Sequence, residues 1–524
     1  MNLKILIVAC ILVLGCAFCG NLLAQPGQLD PSFGLGGWQH TDLGGKEQGG
    51  TADIQADGKI LAGGRIALQT SSYDFLLVRY LENGQIDSTF GNGGFRSWDF
   101  GLQQENLEFV KVLGNGKILV GGFSGPNPNS TGILMRLLPD GMEDSSFANN
   151  GVLRLQYGRS TGPIAAAVDA QGRIVVTGVC VVDSFDIDWF VSRFTPDGAP
   201  DSTFNGSGWM YHNFLTREDI PFDIMIEPTG HIFVTGCAGV YPKANFAFLR
   251  LRPEGTRDPD FGSNGSMETD FAGNQDVAYG TAITADGKYF VSGTVRDSVT
   301  NYDFGLARYH RNGDLDASFG KGGLLTYDLG GPVDYGLYLI RQPDDKYLVC
   351  GENNKLTQNR FVVMRYLVSG AVDTSFGNRG MASFDAVNIL TDHTPHFAMQ
   401  KDGKVVMVAN YKDGPNTNLL LMRWLNDIAV DLGDVDGTGT DLVRAWPNPT
   451  ANQLVLIFEE GLIEREVQLE CRDISGRSLG HVVKPSGQNR MEWDVFNGKI
   501  ANAGLYFIRW ISGTDRGAIP IQVH

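Results

Sequence analysis

Two charged series run through this chain at a fixed interval. One is Arg79, Arg136, Arg193, Arg250, Arg308, Arg365 and Arg423; the other is Asp30, Asp87, Asp144, Asp201, Asp258, Asp316 and Asp373. Where both fall in one unit, the Asp follows its Arg by eight residues. Each Arg stands inside an apolar run, where a guanidinium needs a fixed acceptor; a carboxylate supplies one in bidentate form. Catalysis asks for one distinctive constellation, whereas seven like pairs read as structural ties between repeated elements.

Other candidate chemistry is sparser. Asp431, Asp434, Asp436 and Asp441 resemble a calcium loop, but the spacing departs from the twelve-residue pattern and no closing Glu follows. A solvated acidic linker is the simpler reading. His393 and His396 flank a proline and lack a third zinc ligand. No Gly-x-Ser-x-Gly elbow, phosphate loop or His-Glu-x-x-His occurs. With 59 acidic residues a glycosidase-type carboxylate pair stays open. No catalytic, cofactor-binding or metal-ligating residues are assigned, and no cofactor is expected.

The elements that carry the charges repeat with them. Asp-x-[Ser/Thr/Asp]-Phe-x-x-x-Gly recurs at a period of 57 or 58 residues, with its phenylalanine at Phe33, Phe90, Phe147, Phe204, Phe261, Phe319 and Phe376. A long fixed period means one supersecondary unit copied and stacked. In the second copy the apolar runs are Phe95 to Phe100, Leu107 to Leu113, Lys117 to Val120 and Ile133 to Leu138. Asn115-Gly116 between two of them is a hairpin turn, because both residues accept positive φ. Asp344-Asp345 replaces that pair in the sixth copy and predicts the weakest turn. Four short strands per unit, apolar at both parities, predict an all-β seven-bladed propeller over 25–427; a parallel β-helix is the alternative. The last copy ends at Asp427 without its Asp-x-Ser-Phe-Gly half, and Gly27 to Gly34 supply the missing half. The ends are therefore expected to meet in a closed ring, which removes two sheet edges.

Residues 1–24 read as a secretory signal, with Lys4, an apolar run from Ile5 to Phe18, and small-residue cleavage before Gln25. Cys16 after Leu14-Gly15 leaves lipidation as an alternative. Loss of the signal leaves 41 basic against 59 acidic residues. That balance repels nucleic acid and anionic lipid, and no later segment could cross a bilayer. Cys180, Cys237, Cys350 and Cys471 form no Cys-x-x-Cys pair and read as small buried hydrophobes.

After a Gly-rich acidic linker at 428–441 the period vanishes. Residues 442–524 carry short strand-like runs, among them Gln453 to Phe458, Glu466 to Cys471 and Leu505 to Ile511, and predict a small Ig-like β-sandwich. Trp446-Pro447-Asn448-Pro449, Asp473-Ile474-Ser475-Gly476-Arg477 and Ala503-Gly504-Leu505-Tyr506 together resemble the type A C-terminal sorting domain of the Bacteroidetes type IX secretion system. The family usually has Tyr where Trp446 stands. The propeller units resemble delta-60 repeats, through Asp57 to Gly64 and Phe75 to Tyr80. The first resemblance implies export through the periplasm to the outside, with the secretion machinery as partner and the body released or anchored. The second implies architecture without a known activity.

Two functional classes follow. One is a non-enzymatic secreted or cell-surface propeller, monomeric, binding an unidentified glycan, protein or small ligand on its face or in its channel. The other is a surface polysaccharide hydrolase or lyase with unrecognised carboxylates. Equal spacing in every unit, without the long insertions enzymes carry on propellers, favours the first.

Overall fold

A computed structural model of the chain describes residues 25–426 apart from 69–71, 102–103, 127–128, 183–185, 215–217, 272, 297–301, 332, 356–357, 386–387 and 391–394. In the tail it describes 443–446, 454–458, 462, 464–473, 478–488, 490–493, 504–512 and 515–523. Residues 1–24, read above as a signal, the stretch 428–441, read as a linker, His393, Pro447, Asn448, Pro449, Gly476 and Arg477 lie outside the described residues. Two compact units divide between Asp427 and Ile428.

The first unit is an antiparallel β-propeller. One blade joins Lys46–Ile54, Ile60–Ala67, Asp74–Tyr80 and Phe95–Trp98 in that order. Among the described residues of this unit four such sheets stand alone, two more four-strand groups are fused into one sheet by the single pair Tyr302↔Val333, and a five-stranded sheet holds Trp38–Thr41, Asn416–Trp424, Val405–Asp413, His396–Met399 and the short Ile389–Leu390. The first strands pack side by side around an axis: Lys46–Ile54, Glu105–Val112, Ser160–Val168, Asp219–Ile226, Val277–Ile283, Val333–Arg341 and His396–Met399. The short run Phe95–Trp98 differs from its sequence reading. It forms the outer edge of the preceding blade, not the start of its own, because Phe75 to Val78 pair with it directly.

Alternation within a strand explains why both parities are apolar. Ile60, Ala62, Leu76 and Val78 pack with Val406, Val408, Leu419 and Leu421 of the blade on one side. Leu61, Phe75 and Leu77 pack with Ile118, Val120 and Ile133 of the blade on the other. The core is thus a series of interfaces between blades, filled by opposite faces of each pleated sheet. Cys180, Cys237 and Cys350 are buried free thiols within these layers.

Trp38–Thr41 completes the last blade by pairing with Leu419 to Met422. Gly27 N–H donates to Leu425 O at 2.7 Å and Leu425 N–H to Gln28 O at 2.8 Å. In the sixth copy Asp345 takes φ +61°, the left-handed conformation that glycine supplies at Gly58 and Gly116.

The second unit has a three-stranded sheet of Val443–Trp446, Leu454–Phe458 and Arg490–Trp493. Its four-stranded sheet runs Ser478–Lys484, Val467–Asp473, Gly504–Ser512, Asp515–Val523. Asp473 and Tyr506 are paired across neighbouring strands. Leu456, Phe458, Val467, Leu469, Cys471, Ile508 and Trp510 are buried.

Candidate functional site

The charged series gathers at one end of the ring, where each Arg sits near the end of its blade's third strand. Arg79 Nε donates to Asp87 Oδ2 at 2.9 Å, one Nη donates to Pro139 O of the following blade, and the other reaches Thr89 Oγ1 at 3.2 Å. The carboxylate is therefore contacted by Nε alone and is not bidentate, which corrects the sequence expectation. The remaining donors serve the neighbour. Arg136 and Arg193 repeat the arrangement on Pro196 O and Pro253 O, and Arg308 does so on Val368 O at 2.7 Å. Arg365 pairs with Asp373 at 2.8 Å and reaches Asn426 Oδ1 at 2.9 Å. Arg423 pairs with Asp30 and donates to Glu82 O.

The repeated phenylalanine completes this tie in six units. Phe90 is fully buried, with the Arg79 guanidinium 4.6 Å from its ring centroid. On its other side lies Gly141 of the next blade, at φ +89°, where an added Cβ would stand 2.6 Å from the ring. Only glycine allows that approach. Asp30, Asp87, Asp144, Asp201, Asp316 and Asp373 are raised by burial, but hydrogen bonds from the Ser or Thr two residues on and the adjacent cations outweigh it. Each ends below the usual carboxylate range, Asp373 at about 2.

One unit departs. Arg250 turns Nε and an Nη onto Glu227 at 2.7 and 2.9 Å, keeping its other Nη for Asp258. Tyr289 also donates to Glu227. Gln55, Gln342 and Gln400 hold the same turn position elsewhere. Glu227 is buried and richly bonded, so it is an internal counter-ion, not an acid base poised for substrate.

Sequence reading missed a further acidic set at the opposite end. Glu105, Asp219, Asp276 and Asp334 open the first strand of their blades and accept the backbone N–H of Phe100, Phe214, Phe271 and Leu329 at 2.7–3.0 Å. Burial raises Asp276 to about 6, with Asp270 adding to it. Carboxylate oxygens of Asp74, Asp99 and Glu105 lie within 4.8 Å of one another, as do those of Asp303, Asp328 and Asp334. These oxygens could hold a hard cation. Alternation of Asp with Glu, and Thr161 in one unit, hid the series.

Midway along the first strands lie residues that differ from blade to blade. The first strands bulge at Gly50, Glu108, Ile164, Phe222 and Tyr279, and at Leu337-Tyr338. A bulge re-aims a side chain, here toward the axis. Phe222 and Tyr279 ring centroids are 4.6 Å apart, Tyr279 and Tyr338 6.1 Å, and Tyr338 and His396 4.7 Å. Burial, with Lys111 nearby, lowers His396 to about 4. Asp53 and Asp223 accept N–H bonds from Val112 and Thr281 of the following blades at 2.7 and 3.0 Å. They tie neighbouring first strands, and burial raises both.

Beside this aromatic row opens a cavity of about 230 Å3. Gln48, Arg65, Asn106 and Glu108 supply its polar lining, and Phe123, Ile164, Phe222 and Tyr338 are among its apolar and aromatic lining residues. Arg65 Nε donates to Gln48 Oε1 at 2.6 Å, and Asn106 Nδ2 to Glu108 Oε1 at 2.7 Å. Burial raises the Glu108 carboxyl despite that bond and the Arg65 charge. Arg65 pairs in register with Phe75 at the start of the strand whose other end carries Arg79. The cavity and the Arg–Asp ties therefore occupy opposite ends of the blades. Among the described residues no helix is long and apolar enough to cross a membrane.

The family described as "Domain of unknown function (DUF5122) beta-propeller" matches residues 55–90, 113–147, 284–319 and 342–376. No curated protein matches the chain. Among solved structures, the chain is similar to PorZ, a surface component of the type IX secretion system of Porphyromonas gingivalis, at 13% identity and a TM-score of 0.36. The alignment covers 90% of this chain, which spans 58% of the PorZ chain. It is similar to the polysaccharide lyase Uly1 at 9% identity and a TM-score of 0.41, covering 72% of this chain and 90% of that one. A glucose dehydrogenase-like putative oxidoreductase from a Thermus species aligns at 14% identity and a TM-score of 0.33, covering 60% and 95%. Strand order and the family profile agree on one architecture: the chain carries an all-β propeller.

Proposed function

We propose that this chain is a secreted or cell-surface binding protein, exported by the type IX machinery through its tail. Its ligand would dock at the end of the channel opposite the Arg–Asp ties. The observation that carries the reading is the segregation of the two residue sets. At one end the same Arg, Asp and Phe recur in each blade, as a scaffold requires. At the other, Arg65, Phe123, Val179, Cys237, Thr294, Glu352 and Asn410 occupy equivalent register positions with seven different side chains. Asymmetry confined to one mouth is what a site for one ligand needs on a symmetric frame.

The test of binding is an array of glycans, proteins and small molecules probed with the mature chain. Reproducible capture that is lost in Phe222→Ala supports the reading, and a blank array opposes it. The export half is tested by deleting 442–524 in a type IX-competent host: the truncated protein should stay folded in the periplasm. Unchanged surface display would remove that half.

A second reading, a hydrolase or lyase acting on surface polysaccharide, draws on the raised carboxyls of Glu108, Asp53 and Asp223 beside the channel. Reducing-end or unsaturated-product release from an oligosaccharide panel would support it.

A further inference from the structure

The cavity at the channel mouth lies at the proposed binding end, and the assignment of its occupant rests on that reading. Arg65 is fixed before any ligand arrives: Gln48 holds its Nε at 2.6 Å, and its guanidinium carbon lies 4.5 Å from the Tyr73 ring centroid. Among the described residues no carboxylate comes within 4.0 Å of it, in contrast to the Arg of every repeated tie. Glu108 is the only acidic side chain among the described residues that line the cavity, and it is bonded to Asn106.

A guanidinium held in place beside a half-enclosed cavity favours a planar anion that can take two of its N–H groups. The amides of Gln48 and Asn106 and the carboxyl of Glu108 offer both donors and acceptors, which suits hydroxyl groups. Phe222, Tyr338 and Ile164 also line the cavity, and their aromatic and aliphatic surfaces suit the C–H face of a saturated ring. The volume of about 230 Å3 admits one such ring. The chain's formal charge of −17 opposes polyanions and leaves room for a single acid group.

We propose that this cavity binds a sugar acid, a single hexuronate ring. Its carboxylate pairs with Arg65, its hydroxyls meet Gln48, Asn106 and Glu108, and its ring lies against Phe222 and Tyr338.

Calorimetry on the mature full chain would compare glucuronate with glucuronamide and glucose, which keep the ring but lose the charge. The expected result is glucuronate binding at least about tenfold more tightly than either neutral sugar, with Arg65→Gln abolishing the difference. Phe222→Ala should weaken all three alike. The glucuronamide comparison needs no variant, so it holds even if Arg65→Gln unfolds. Equal affinity for charged and neutral rings would overturn the sugar-acid assignment while leaving a binding mouth in place. No binding of any of the three, alongside array hits of other chemistry, would overturn it in the same way. A blank array as well would overturn the binding reading itself.

Discussion

Arg423 Nη2 lies 2.8 Å from Asp30 Oδ2, joining the third strand of the last blade to the segment that supplies its outer edge. Asp30 N–H also donates to Arg423 O at 2.8 Å, and Arg423 N–H to Gly37 O at 2.8 Å. The same backbone exchange joins Arg79 to Asp87 and to Gly94 within one continuous blade. The ion pair at the seam thus does in two segments what the other blades do in one.

This geometry sets the first expectation. Asp30→Ala leaves Arg423 buried at 3% exposure without its counter-ion, a loss on the order of 3 kcal/mol. Asp87→Ala removes an equivalent pair, but its blade remains covalently continuous. Thermal unfolding should show the larger drop in Tm for Asp30→Ala. Equal drops would mean that the seam is no weaker than any other blade.

Acid should act in two directions. The ring carboxylates, Asp87, Asp144, Asp201, Asp316 and Asp373 among them, are lowered in the folded state, so their stabilisation is present above the unfolded value of about 3.9 and is lost as pH falls toward about 2. Asp276, raised to about 6, has the opposite sign: its ionisation opposes folding at neutral pH, and acidification from about 7 to 4 relieves it. Glu47, Glu108 and Asp334 are raised as well. His212 and His396, lowered to about 4 by burial, act the other way: their neutral forms favour the fold above the unfolded value of about 6.5, and that contribution is lost as pH falls toward 4. Chemical denaturation across pH 2–8 should therefore show stability declining from about pH 6.5, with Asp276 offsetting part of the loss, and falling further below about pH 4 as the ring carboxylates protonate. Asp276→Asn should steepen the decline between pH 7 and 4; an unchanged slope would contradict the assignment of the raised group.

Glu227 offers a graded test. Glutamine occupies its turn position at Gln55, Gln342 and Gln400, and Gln400 still accepts from Arg423 at 3.1 Å. Glu227→Gln should therefore cost about 1–2 kcal/mol, and Glu227→Ala about 3 kcal/mol or more, because Arg250 and Tyr289 would then lose their acceptor. Indistinguishable unfolding curves for the two variants would show that the charge, not the hydrogen bonding, carries the contribution.

The scaffold was legible because its constraints repeat: a buried Phe between an Arg and a close-approaching Gly tolerates few substitutions, so Phe33 and its counterparts stand out at a fixed period. The strand boundaries were less so. Phe95–Trp98 looked like the start of a unit because its pairing partner precedes it by a turn that sequence cannot assign to either side. The bidentate geometry expected for Arg79 failed because two of its nitrogens are claimed by the next blade's carbonyl and by Thr89. The channel mouth was illegible for the opposite reason. Glu108, Phe222 and Tyr338 sit at bulges, where the period-two pattern slips and no residue type recurs. Their signal was the residue after each Gly-Gly or equivalent pair, from Arg65 to Asn410, which varies where everything around it is kept.

The central claim is that the two ends of the ring divide scaffold from binding, and one paired measurement tests it most directly. Tm and affinity for a captured ligand would be measured together on Asp87→Asn and on Phe222→Ala. Asp87→Asn is expected to lower Tm by several degrees and to leave the affinity of the folded protein within about twofold of the parent. Phe222→Ala should lower affinity about tenfold or more, with a smaller change in Tm. Loss of binding in a well-folded Asp87→Asn variant, with Phe222→Ala binding as tightly as the parent, would place the site at the Arg–Asp end and contradict this division.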